Sequence, residues 1–159
     1  MKIRLLLLAA ALLLTAACSK SSAPAQPKSS PEAHAHQAPH GGTLVELGHH
    51  QYNLEFLHDP AAGALTVHVL NDHASGIVRL DALELPVVLR VDGAERRLLL
   101  RPVENRLSSE TAGDSSVFSA QADWLRLAAG LEGYFPAITI RGQRFEQVRF
   151  GLPGPTPPR

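Results

Sequence analysis

Residues 51–70, QYNLEFLHDPAAGALTVHVL, decide how the chain folds. Tyr52, Leu54 and Phe56 fall on one parity, and Gln51, Asn53 and Glu55 on the other. Leu65, Val67 and Val69 repeat the pattern after DPAAG, with Thr66 and His68 between them. Alternation with a period of two marks a strand with one face in a core. Two such strands across a short Asp/Pro/Gly turn make a hairpin. Matching the apolar faces requires paired residue numbers to sum to 121 or 123. Phe56 then opposes Leu65 or Val67, and Glu55 opposes Thr66 or His68. Either register leaves Glu55 and His68 as near neighbours off the core face.

The same pattern extends outward. TLVEL (43–47) is the first apolar alternation. Ile77–Leu80, Leu85–Val91, Arg96–Leu100, Ser116–Ala120, Ala137–Ile140 and Phe145–Phe150 read as short strands, with turns at DGAE and RGQR. Ala122–Ala129 reads as a helical turn or a loop. Trp124, Tyr134, Phe135 and Phe118 are expected in the core. The predicted class is all-β, a small antiparallel β-sandwich or partly open barrel of about seven or eight strands. Its span is 39–151, enough for one domain.

Residues 18–38 are rich in Ser, Ala, Pro and Gln, and read as a disordered tether. The end of the chain, 152–159, is a Pro-rich tail. Residues 1–17 carry Lys2 and Arg4, an apolar run from Leu5 to Leu14, then small residues. That is an export signal peptide, because the run is shorter than the roughly 20 residues of a spanning helix. LTAAC, residues 14–18, resembles the bacterial lipoprotein signal, with Thr15 where leucine is commoner. The resemblance implies acylation, by palmitate and related chains, at Cys18. Cys18 is the single cysteine, so no intrachain disulfide can form. Ser19 in place of an aspartate favours the outer membrane, with the domain in the periplasm.

The chain has 15 Lys+Arg and 15 Asp+Glu. Lys2 and Arg4 lie in the export segment, and no lysine occurs between 40 and 151, so the domain is mildly acidic with scattered arginines. This is no footprint for nucleic acid. No GxSxG, HExxH, Walker loop or dinucleotide fingerprint is present, and an enzyme is not expected.

All eight histidines lie between 34 and 73. His34 and His36 sit in the tether, where imidazoles could hold copper or zinc loosely. His40 precedes Gly41 and Gly42 at the entrance to the first strand, so its position is defined by the fold. A metal site would gather His40 with Glu55, His68 or His73. The alternatives are a hydrogen bond fixing the strand entrance at His40, and a surface pair at Glu55 and His68. His50 shares the inward parity of Tyr52. His58 and His73 are expected to be exposed.

APHGGTLVELGHHQYNLEFLHDPAAGALTVHVLNDHA (38–74) resembles small exported domains of Gram-negative bacteria that open with an HGG element. These include uncharacterised lipoproteins and periplasmic parts of heavy-metal efflux systems. His40, Gly41, Gly42 and Glu55 carry the resemblance, with VHVLNDHA after them. It implies metal handling and metal-efflux or other envelope proteins as partners. Two functions are expected from these readings. One is a membrane-tethered periplasmic lipoprotein that binds or helps handle copper or zinc. The other is a non-enzymatic cell-envelope interaction or structural module without a specific metal site.

Overall fold

The computed structural model describes residues 37–153. The signal peptide, Cys18, His34, His36 and nearly all of the tether and tail lie outside the described residues. Eight strands follow in chain order: β1 (Thr43–Leu47), β2 (Tyr52–Asp59), β3 (Ala64–Asn71), β4 (Leu85–Val91), β5 (Ala94–Pro102), β6 (Val117–Gln121), β7 (Leu131–Ile140) and β8 (Gln143–Leu152). Their order across the sheet is β1-β2-β3-β6-β5-β4-β7-β8, with every neighbour antiparallel. The sheet curls into a nearly closed barrel, so the all-β class and the strand number are as expected. Ile77–Leu80 is the exception. Only Ile77 and Leu80 form single bridges, to Leu70 and Ser115.

The hairpin takes the second of the two registers. Phe56 opposes Val67 and Glu55 opposes His68. Inward residues alternate along β2 to β6, among them Leu54, Phe56, Leu65, Val67, Val69, Val87, Leu89, Leu98, Leu100 and Phe118, all buried. Phe56 stacks on Phe150 with centroids 4.2 Å apart, and Phe135 lies 5.9 Å from each. This trio ties β2, β7 and β8 together across the interior.

Antiparallel order places the turns at two ends. The β2–β3 and β4–β5 turns, the start of β1 and the close of β8 share one end. The long connections 72–84 and 103–116 lie at the other. The β6–β7 connection crosses the first end as a single 3-10 turn, Asp123–Leu127, which resolves the ambiguity of DWLRL. Its Leu125 is fully buried and plugs the barrel.

β7 and β8 bend together. Leu131 and Phe135 face inward, but so do Ile138 and Ile140, so parity changes between them. β8 changes at the same level, from Phe145 to Val148 and Phe150. The switch lies at Pro136 and Gln147, between the pairs Phe135↔Val148 and Ala137↔Glu146. Pro136 offers no N–H to the ladder, and Gln147 takes φ 50°.

β1 and β8 flank the remaining seam. The Gln143 side-chain amide donates to Gln51 across it at 2.8 Å. At the far end it opens into a cavity of about 330 Å³ between Gly42, Thr43, Leu57, Leu152 and Pro153.

Candidate functional site

The HGG element folds back onto the outer face of β2 and β3. Glu55 points outward from β2, yet its side chain is fully covered. The cover is residues 40–42. Glu55 Oε1 accepts two backbone N–H groups, from His40 at 2.8 Å and Gly42 at 2.9 Å. Glu55 Oε2 accepts the His40 ring Nδ1–H at 2.6 Å. One carboxylate therefore holds both ends of the turn and the side chain that starts it. Charge-assisted bonds of this kind are shorter and stronger than neutral ones.

Each glycine has a separate reason. Gly41 has φ +77°, a left-handed conformation that other residues rarely adopt. Gly42 has ordinary φ, but a Cβ there would strike the Phe56 carbonyl oxygen and lie 2.9 Å from Glu55 Cγ. The arm must lie that close for its N–H groups to reach the carboxylate.

The His40 ring lies over His68 with centroids 4.0 Å apart and planes 19° from parallel. His68 is half-buried on β3, directly opposite Glu55. Burial and the neighbouring His40 hold His68 below its ordinary pKa, against the pull of Glu55 and Glu110. Burial pushes the Glu55 carboxyl up. The hydrogen bonds from the His40 ring, the Gly42 N–H and the His40 N–H outweigh it, and the net shift is downward. An ionised Glu55 beside a neutral His68 is the outcome.

This geometry does not suit a metal centre. Imidazole lone pairs lie in the ring plane, and a zinc–nitrogen bond is roughly 2.0–2.1 Å long. Two nearly parallel rings stacked at 4.0 Å cannot both point a nitrogen at one ion at that distance. Both Glu55 oxygens are engaged by the arm. Among the described residues, no group of three or more His, Cys, Asp or Glu side chains is placed to hold an ion. The copper or zinc expected from these imidazoles therefore finds no set of ligands converging on one point at His40, Glu55 and His68 as described.

The structure joins His40, Glu55 and His68 and leaves His73 elsewhere, exposed beside Asp72 in the 72–84 connection. His50 does not face the core as its parity suggests. Residues 48–51 form a turn, His50 takes φ 55°, and its ring lies exposed against Glu46 at 3.0 Å. His58 is half-buried rather than exposed, because its Nε2 meets the Leu125 carbonyl at 2.9 Å and anchors the plug. Tyr134 is not a core residue. It lies on the outer face opposite Val88 and Arg149. Phe118 and Phe135 are buried as expected, while Trp124 packs at the margin with Arg96 5.6 Å from its ring centre.

A second buried carboxylate escaped the sequence reading. Glu110 accepts from the Ser116 N–H at 2.7 Å, from the Ser116 hydroxyl, and from Ser108 Oγ at 2.7 Å. Burial raises its pKa, but these bonds and nearby Arg79 lower it further. It ties the 103–116 connection to itself, drawing Ser108 and Ser116 together just before β6. E-x5-S carries no recognisable signal, so nothing in the sequence marked it.

Comparison of the chain with protein-family models, with characterised proteins and with solved structures finds no match.

Proposed function

We propose that this protein is a non-enzymatic module of the bacterial cell envelope, anchored through Cys18, whose barrel works by contact with other molecules. In this reading the HGG element is a structural clasp and not a metal centre. The observation that carries it is that Glu55 is fully covered by the arm, with Oε1 on two backbone N–H groups and Oε2 on the His40 ring. An ion could reach that carboxylate only if the arm lifted.

Metal handling stands as a second reading on one observation. Glu55 fixes Nδ1 of His40, so Nε2 is the ring nitrogen without a partner among the described residues, and the side chain is 43% exposed. A carboxylate behind an imidazole is common around metal ligands. One imidazole is a weak ligand alone, and His34 and His36 are near it in sequence.

The two readings separate in a copper(II) and zinc titration of the whole exported chain, followed by thermal midpoint. The clasp reading expects no saturable stabilisation by either ion. It also expects His40→Ala to lower the midpoint equally with and without metal. Saturable stabilisation abolished by His40→Ala would reject the clasp reading in favour of the metal one.

A further inference from the structure

The outer face of β4, β7 and β8 carries an open groove of about 480 Å³. Cross-strand register places its charges in two adjacent rows. In the first, Arg90 lies opposite both Glu95 and Glu132, and Glu132 lies opposite Gly151. In the second, Val88 lies opposite Tyr134, and Tyr134 opposite Arg149. Gly151 has no side chain, so the recess stays open beside Glu132. Val88 and Tyr134 give it an apolar base. The kink at Gln147 brings an amide to the end nearest Arg149.

Gln147 is the single left-handed non-glycine residue within a strand among those described. Such outliers gather where a site holds the backbone in place. The charges around the groove are also unspent. Among the described residues, Arg90, Glu95, Glu132 and Arg149 form no ion pair with each other or with any other group. An anion alone would meet the glutamates, and a cation alone the arginines. A ligand with both charges meets neither penalty.

Glu132 and Arg149 are diagonal neighbours on one face, with their Cβ atoms about 7–8 Å apart. One small ligand can therefore meet both side chains from above the sheet. We propose that the groove binds a small peptide-like zwitterion of the dipeptide class, with its ammonium group at Glu132 and its carboxylate at Arg149, where Gln147 also lines the groove. The side chains would lie over Val88 and Tyr134.

The test is a titration of the whole chain with alanylalanine, read by NMR shifts at Tyr134, Gly151 and Arg149. N-acetyl-alanylalanine and alanylalanine amide each remove one charge. Each should bind roughly tenfold more weakly or worse, the loss of one charge-assisted contact. Glu132→Gln should erase the preference over the acetylated form, and Arg149→Gln the preference over the amide. Gly151→Leu fills the recess at a position with open space and no left-handed φ, so the barrel should fold and binding should be lost. Absence of saturable shifts overturns the proposal. So does equal binding of the capped forms, or unchanged binding by a folded Gly151→Leu variant.

Discussion

Glu55→Ala is the substitution on which the clasp stands or falls. It removes three hydrogen bonds at 2.6–2.9 Å from a fully covered carboxylate. A bond to a charged group is worth about 1.5–3 kcal/mol, and three taken separately would exceed the effect. Once the arm lifts, the freed N–H groups and the His40 ring meet water, so the loss is the docking energy of the arm as a unit. We expect about 2–3 kcal/mol, near the value of one such bond plus the lost ring contact. At roughly 4 °C per kcal/mol the midpoint should fall by about 8–12 °C. Glu55→Gln keeps the oxygen that serves His40 N and Gly42 N, and changes only the atom facing the ring. It should cost about 1 kcal/mol. Urea melts of the whole chain give both values, with an unchanged slope if the barrel core is intact. The reasoning fails if Glu55→Ala lies within about 0.5 kcal/mol of the parent, the range of a neutral surface change. It also fails if the Gln variant is as damaging as the Ala variant.

Other outcomes follow from the same contacts. Glu55 and His68 both have folded pKa values below their ordinary 4.5 and 6.5, so the unfolded chain binds more protons. Their contribution is fully present above the ordinary values and is lost as pH falls, first below 6.5 for His68 and then below 4.5 for Glu55. Stability melts across that range should show two steps of loss, and His68→Gln should remove the upper one. Gly42→Ala should release the arm by overlap with Phe56 and Glu55, read as faster proteolysis before residue 43, while Gly41→Ala should cost about 1–2 kcal/mol from its left-handed φ alone. Leu125→Ala should cost about 2–5 kcal/mol, because the plug has no other fully buried side chain. A urea melt checks it.

The hairpin was legible because strict alternation on both strands, closed by one turn, leaves two registers. Both put Glu55 beside His68, and Leu85–Val91 was legible to the residue for similar reasons. The closure of the sheet was not, since the parity switch at Pro136 and Gln147 depends on how β7 and β8 bend together. Tyr134 was misplaced because an aromatic in an apolar run gives no sign of which face it takes. His50 was misplaced because the parity count ran through a turn where alternation does not hold. The partners of the HGG element were named in the sequence, but their geometry was not. Period two says which residues share a face, and it cannot say that a loop 13 to 15 residues earlier folds back to cover one of them.

The kinship of the domain's two ends has a mechanical consequence. Gly42–Thr43 and Leu152–Pro153 line the same cavity, so entry and exit lie side by side. Tension on the segment before residue 40 meets the Glu55 clasp first. All three bonds of that clasp end on one carboxylate, and the five paired residues of β1 follow it along the chain. The arm therefore stands first in the line of load, ahead of the barrel with its plug and aromatic trio.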